Sequence, residues 1–330
     1  MKISIKIPGM TLYPGTGRHW WESITSEQIV AIAKRCEALG FDHVSISDHI
    51  VMNRESAPEM GARWVHSLSA AGFVLGATSR ITVVPLVVAP YRNPIELAKA
   101  LSTLDYLSGG RLVPLLLVGY KRWEFELAGA NYEARGQVMD EWVAAMRELW
   151  SSERPEYHGE FVRFDDLVFD PKPVQDPLPL WFGGRTKAAL RRIARHGDGW
   201  VSYATPRAEF AEMVGYIRAQ PEFIARPRPL ETWLELFEGR RDPDSHVVIE
   251  QARVERDPEV ILDGLRRIAA VGATMTSLDD ILGIGKFQND QPDAPAPARD
   301  IHEYLHRMEW AAAEILPAAH AIQTPEPVAG

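Results

Sequence analysis

The chain has one cysteine in 330 residues, Cys36. A single thiol excludes an internal disulfide and argues against a cysteine-built metal site. No lysine- or arginine-rich run is present, and the formal net charge is −9. The basic stripe that a nucleic-acid footprint needs is therefore missing. No apolar run approaches the ~20 residues of a membrane-spanning helix. The opening MKISIKIPGM has no apolar signal-peptide core and reads as a short strand. His43, His66 and His158 do not share metal-ligand spacing, and no His-x-His motif or matched carboxylate pair stands out. These absences lead us to expect a cytoplasmic protein with a small-molecule substrate, no metal, and neither nucleic acid nor membrane as partner.

What is present is alternation. Apolar content of 46% against 25% charged residues is enough for an ordinary packed core. Short β-branched runs alternate with segments of helical period. Strands are expected at Ile3–Ile7, His43–Ser47, Ile81–Val88, Leu112–Val118, Leu180–Phe182, Trp200–Tyr203, Val247–Val254 and Ala273–Leu278. Helices are expected at Ser26–Leu39, His66–Thr78, Ile95–Leu107, Glu133–Trp150 and Ile301–Leu316. Thr25 with Gln28 forms a capping box before the first, and Gly40 ends it. Thr205–Pro206 reads as a cap and first position of a further helix. Leu230, Trp233, Leu234 and Phe237 have the spacing of one helix face, ended by Gly239. Eight strand–helix alternations in this length predict an α/β fold, a single (β/α)8 TIM barrel with insertions. It would occupy residues 1–323, with a long connection at Gln288–Pro297 and a frayed tail at Thr324–Gly330.

Chemistry in such a barrel sits at the carboxyl ends of the strands, and the opposite face carries stability. That rule gathers Gly9, Met10, Tyr13, His19, Trp20 and Trp21 after strand one, and Asp48 and His49 after strand two. Gly119, Tyr120 and Lys121 follow strand four, and Gly183 to Thr186 follow strand five. Ser202, Tyr203 and Thr205 follow strand six, and Asp279 and Asp280 follow strand eight. Asp105 and Arg111 fall on the stability face. Tryptophans in the rim loops, Trp64 and Trp123 among them, either line an apolar substrate pocket or pack loops against the barrel.

Between Asn93 and Thr186 the chain reads NPIELAKALSTLDYLSGGRL, then VGYKRWEFELAG, then PKPVQDPLPLWFGGRT; RRIARHGDGW follows at Arg191–Trp200. In that order and spacing these phrases resemble the bacterial luciferase-like monooxygenase family, and the resemblance covers nearly the whole chain. It implies a barrel enzyme holding a flavin or the deazaflavin F420, and it suggests a homodimer.

The resemblance assigns roles residue by residue. A histidine at a strand end can exchange a proton near neutral pH. Position alone favours a structural reading, with Asp48 capping backbone and His49 satisfied in the wall. In F420-dependent members, however, the histidine of a matching Ser-Asp-His triplet sits over the deazaflavin ring and takes part in catalysis. Ser47, Asp48 and His49 match that triplet, which makes His49 and Asp48 the catalytic candidates. Flavin-using members also carry a histidine here, so the triplet does not select the cofactor. Phe182 to Thr186 runs from a strand into a helix, where glycines admit an anion to backbone N–H groups. In the family this loop serves the cofactor phosphate, a role carried onto Gly183, Gly184, Arg185 and Thr186. Gly119, Tyr120 and Ser202 complete the rim side of the expected cofactor site.

Strand three, ITVVPLVVAP, holds a proline where a closed barrel has no free edge. A bulge is therefore expected over Pro85–Val88, unless Pro85 and Pro114 each simply start a strand. The family carries a bulge here, often with a strained non-proline cis peptide, behind the flavin ring; Pro85, Leu86 and Val87 are thereby placed at the ring. Strand four departs from the family. Leu115 and Leu117 stand where glycines are common, which puts cofactor orientation in question. Tyr120 stands where sugar-phosphate dehydrogenases of the F420 group carry an acid, which disfavours that activity. Glu124 and Glu126 follow shortly, but Trp123-Glu124-Phe125 matches a common family phrase and reads as structural.

Three functions compete. The first is an oxidoreductase or monooxygenase acting on a small, apolar organic substrate, with F420 as cofactor and FMN as the alternative. Ser47-Asp48-His49 and an arginine-rich composition tilt the choice to F420. The second is a non-catalytic flavin-binding barrel, motivated by Leu115 and Leu117. The third, ranked well below, is a hydrolase using acids such as Asp48 and Asp279.

Overall fold

The computed structural model of the chain describes residues 1–12, 19–203, 205–225, 229–236, 240–241, 248–250, 256–283 and 297–324. Among the described residues twelve strands follow in chain order: β1 (Lys2–Lys6), β2 (His43–Ile46), β3 (Thr82–Val88), β4 (Leu115–Leu117), β5 (Tyr157–His158), β6 (Arg163–Phe164), β7 (Trp181–Gly183), β8 (Gly199–Val201), β9 (Glu231–Trp233), β10 (Arg240–Arg241), β11 (Val248–Glu250) and β12 (Met275–Ser277). Eight of them, in the order β1-β2-β3-β4-β7-β8-β9-β12, form a closed parallel barrel. Closure comes from β1, which pairs with β2 on one side and with β12 on the other. Helices fill the crossovers, as parallel neighbours require. Among the described residues no helix is long and apolar enough to cross a membrane.

Side-chain alternation sorts each strand into two cores. On β3, Val84 and Leu86 point into the barrel, where they meet Leu115, Leu117, Trp181 and Met275. Val83 and Val87 point outward and join the larger core under the helices. This double burial explains why β3 reads as an almost unbroken apolar run. Local signals set the helix ends. The Thr25 hydroxyl accepts from Gln28 N–H while the Gln28 side chain caps Thr25, and Gly40 closes that helix in the left-handed region. Asn93 accepts from the N–H groups of Ile95 and Glu96, with Pro94 at the first turn. Such caps contribute about 1 kcal/mol each.

On the amino-end rim, Asp105 and Arg111 both hold backbone groups. Asp105 accepts from the Val174 and Gln175 backbone N–H groups and from the Gln175 amide. Arg111 donates to the Leu75 and Ser108 carbonyls and the Thr78 hydroxyl. His43, at the floor of the barrel against Trp181, is buried, and burial first and Lys2 second push it down to about 4.

Four expectations need correction. The seventh barrel strand is β9, Glu231–Trp233, and not Val247–Val254; within that range β11 pairs with β10 in a separate antiparallel hairpin. Leu230 and Leu234 fit both a helical period and a strand period. Thr232 decides between them: Leu230, Thr232, Leu234 and Leu236 are all buried while the residues between are half-exposed. Thr205 does not cap the following helix, which starts at Arg207 with Pro206 in the cap position. β3 has no bulge against β4, because Val83↔Leu112 and Leu86↔Leu115 keep one register. Val83 N–H donates toward β4, so the Pro85 nitrogen faces β4 as well, and the ladder skips one bond there without slipping. The cis bonds among the described residues precede Pro171 and Pro177, so the strained bond implied for β3 is absent. Tyr13, Phe237, Gly239, residues 288–296 of the expected connection and residues 325–330 of the expected tail lie outside the described residues.

Candidate active site

Two buried carboxylates organise the carboxyl mouth of the barrel. The first is Asp48, just beyond β2. It accepts from Ser67 Oγ at 3.1 Å, from Val88 N–H at 3.0 Å and from Arg92 Nη2 at 2.9–3.0 Å. Arg92 in turn donates to the Val88 carbonyl, and Trp142 Nε1 donates to the Arg92 carbonyl. Asp48 thus ties the end of β2 to the end of β3 and to the helix Ser67–Ala77. Both its oxygens are engaged.

The second carboxylate is Glu124, in the short helix Arg122–Leu127 after β4. Its side chain is 1% exposed. Oε1 accepts from Ile50 N–H at 2.8 Å, while Oε2 faces His49 Nδ1 at 3.0 Å and accepts from Tyr91 O–H at 3.0 Å. Burial pushes the Glu124 carboxyl up, but the His49 hydrogen bond and charge, with Ile50 and Tyr91, outweigh it and hold it below its ordinary value. Burial, and then the Glu124 charge, push the Tyr91 hydroxyl well up. Glu124 is therefore an ionised acceptor and Tyr91 a plain donor.

His49 stands between this carboxylate and the mouth. Its ring is 9% exposed. Trp64 meets it edge-on at 4.5 Å and Tyr120 at 6.3 Å. Nε2 has no partner among the described residues and is not among the sealed, unpartnered atoms, so it keeps some contact with solvent. Trp64 is half-buried and Tyr120 exposed, as are Ile50 and Val51 next in the chain; at the carboxyl ends of β4, β8 and β9 stand half-buried Leu117, Val201 and Trp233, with exposed Tyr203 just beyond β8. Large exposed apolar groups gathered at a concave rim are the usual lining of an organic-ligand site. A shallow depression lined by Met10, Trp21, Ile46 and Ser47 adjoins on the β1–β2 side.

Of Pro85, Leu86 and Val87, only Leu86 belongs to the cluster inside the barrel; Val87 is fully buried under the helices. Gly119 has φ +77°, and a Cβ there would meet Val88 and Phe125. Gly184 has φ +114°, which forces glycine at the turn into the helix Lys187–His196. Trp200 Nε1 holds its carbonyl at 2.9 Å. Thr186 caps that helix by accepting from Ala189 N–H. The Ser202 hydroxyl is already donated to the Trp233 carbonyl at 2.7 Å. Thr205, by contrast, is buried with its hydroxyl unpartnered among the described residues. Gly183 is explained by packing: Leu117 Cδ2 lies 2.5 Å from where a Cβ would stand. Away from the mouth, His158 converges with Glu156 and Asp165 on the exposed hairpin β5–β6, a clustering that spacing did not suggest.

Sequence reasoning reads Glu124 as structural, and it misses Tyr91. Glu124 and His49 are 75 residues apart, and no spacing rule connects them.

Comparison with known proteins bears on this geometry. A family model described as luciferase-like monooxygenase matches residues 2–316. An uncharacterized protein of Mycobacterium tuberculosis is 35% identical over 191 residues, 54% of this chain and 67% of that protein. An FMNH(2)-dependent dimethylsulfone monooxygenase of Pseudomonas fluorescens is 27% identical over 236 residues, 70% of this chain and 62% of the relative. Among solved structures, an F420-dependent secondary alcohol dehydrogenase in complex with an F420-acetone adduct is similar with a TM-score of 0.70 at 18% identity, over 96% of this chain and 98% of the other. That last likeness concerns the fold.

Proposed function

The chain belongs to the luciferase-like monooxygenase family, and from that premise we propose that it is an oxidoreductase that binds F420 at the carboxyl mouth of the barrel. The observation that carries this reading is His49 at the end of β2, with one ring nitrogen on a buried carboxylate, the other unsealed, and Trp64 and Tyr120 against its ring. When bound, the deazaflavin supplies the hydride chemistry; the protein binds, orients and excludes water. His49 Nε2 gives or takes the proton that accompanies hydride transfer. Asp48, saturated by Ser67, Val88 and Arg92, positions the end of β2 and does not itself exchange protons.

The residues present fit such a cofactor. The helix Lys187–His196 opens at an exposed Gly184 turn beside Arg185, and first-turn N–H groups favour an anion. The buried, unpartnered Thr205 hydroxyl adds a donor on the same rim. Leu115 lies within the barrel with Val84, Trp181 and Met275, below the mouth, which weakens the reading of a non-catalytic barrel. A hydrolase is weaker still, since Asp48 is held by Arg92 and Asp279 by Lys6. Ile50, Val51, Tyr120 and Tyr203 favour a small apolar organic substrate. For the homodimer, support comes from exposed Phe73 on the helix Ser67–Ala77 and exposed Tyr106 and Leu107 on the helix Pro94–Ser108, which packs against it.

Reduced FMN is the second reading, favoured by the Pseudomonas relative. Titration of the purified protein with F420 and with reduced FMN decides between them. The first reading expects saturable F420 binding and a His49→Ala variant that still binds it but loses turnover. Tight FMN binding without F420 binding reverses the choice, and binding of neither removes the redox reading.

A further inference from the structure

We infer that Glu124 is a positioning residue that fixes the tautomer of His49, placing the ring proton on Nδ1 and leaving the Nε2 lone pair at the mouth. The inference deepens the reading that His49 handles a proton and rests on it for its catalytic meaning, though not for its geometry.

Donors and acceptors around Glu124 decide where the ring proton sits. An ionised carboxylate only accepts. Three groups converge on Glu124. Ile50 N–H is a fixed donor to Oε1. Tyr91 O–H donates to Oε2, and its ring is set by edge contact with Phe125 at 4.6 Å. His49 Nδ1 shares that same Oε2 at 3.0 Å. Facing an acceptor in a buried setting, a neutral imidazole must present N–H, because an unprotonated Nδ1 would set two lone pairs against each other. The proton is then on Nδ1 and absent from Nε2. The other neighbours of His49 leave this unchanged. Trp64 and Tyr120 meet it as aromatic edges. The charge of Asp48 is paired with Arg92. A neutral His49 held this way is ready to take a proton at the mouth, and Glu124 stabilises the imidazolium that results.

The test is imidazole ¹⁵N spectroscopy on the cofactor-free protein, with the His49 signals identified by their loss in His49→Ala. In the wild-type protein, at a pH where the ring is neutral, the expected pattern is protonated Nδ1 and unprotonated Nε2. In Glu124→Gln the amide oxygen stays on the fixed Ile50 donor and the NH2 turns to His49 and Tyr91, so the pattern inverts. Tyr91→Phe leaves Glu124 ionised and keeps the wild-type pattern. With F420 bound, Glu124→Gln lowers kcat by about 10²-fold with KM changed much less. The opposite tautomer in the wild-type protein overturns the inference even if Glu124→Gln fails to fold. An unaltered pattern in a folded Glu124→Gln overturns it too. If the pattern inverts as expected while His49→Ala retains full turnover, the positioning by Glu124 stands and the proton role of His49 falls.

Discussion

Replacing Asp48 by Asn separates a structural carboxylate from a catalytic one. The side chain is 1% exposed and its main cation, Arg92, 14%. The carboxylate accepts from three groups: Ser67 Oγ, Val88 N–H and Arg92. An amide has one oxygen. Val88 N–H cannot turn, whereas the Ser67 hydroxyl can rotate and accept. The amide oxygen therefore goes to Val88, the NH2 to Ser67, and Arg92 loses its counter-charge. A hydrogen bond to a charged group contributes about 1.5–3 kcal/mol, and breaking a fully buried pair costs about 3–5 kcal/mol. Arg92 keeps some contact with water, so a loss of about 2–4 kcal/mol is expected. Urea unfolding at neutral pH, followed by tryptophan fluorescence, measures it; kcat of the folded variant is measured alongside. The reasoning predicts a clear loss of stability with kcat within a fewfold of wild type. A variant as stable as wild type whose kcat falls a hundredfold would refute it and return Asp48 to the reaction itself.

Other outcomes follow from the same contacts. Burial pushes His43 and His196 each down to about 4; their neutral forms stabilise the fold fully above about pH 6.5, and that stability drains as pH falls toward 4, by roughly 3 kcal/mol each at most. Urea midpoints measured across that window should fall with pH, and flat midpoints would contradict the burial argument. Gly183→Ala should cost about 1–2 kcal/mol through collision with the end of Leu117, and Leu117→Ala in the same chain should recover part of it. Simple additivity in that double-mutant cycle would deny the contact. Phe73→Asp should halve the mass seen by light scattering if the helix Ser67–Ala77 pairs two copies, whereas an unchanged dimer would place the interface elsewhere.

The barrel was legible because its evidence is local. Capping at Thr25 and Asn93, Gly40 at a helix end and the apolar run of β3 each depend on a few adjacent residues. The seventh strand was misplaced because Leu230 and Leu234 satisfy two periods at once, and only the burial of Thr232 separates them. Of the candidate site, the strand-end position of His49 was readable, since a barrel has one functional rim. Its partner was not, because Glu124 reaches it across the ends of β2 and β4. Gly183 suggested a phosphate turn, and its neighbour Leu117 offers a different reason for the missing side chain. Complementarity of that kind exists only between strands already assembled.

The most direct measurement is the crystal structure of the protein soaked with F420. The account predicts a planar ring at the carboxyl mouth, within hydrogen-bonding reach of His49 Nε2, with its phosphate at the start of the helix Lys187–His196. A ring bound elsewhere on the surface, or a mouth that excludes it because Leu117 and Trp233 fill the space, would contradict the account.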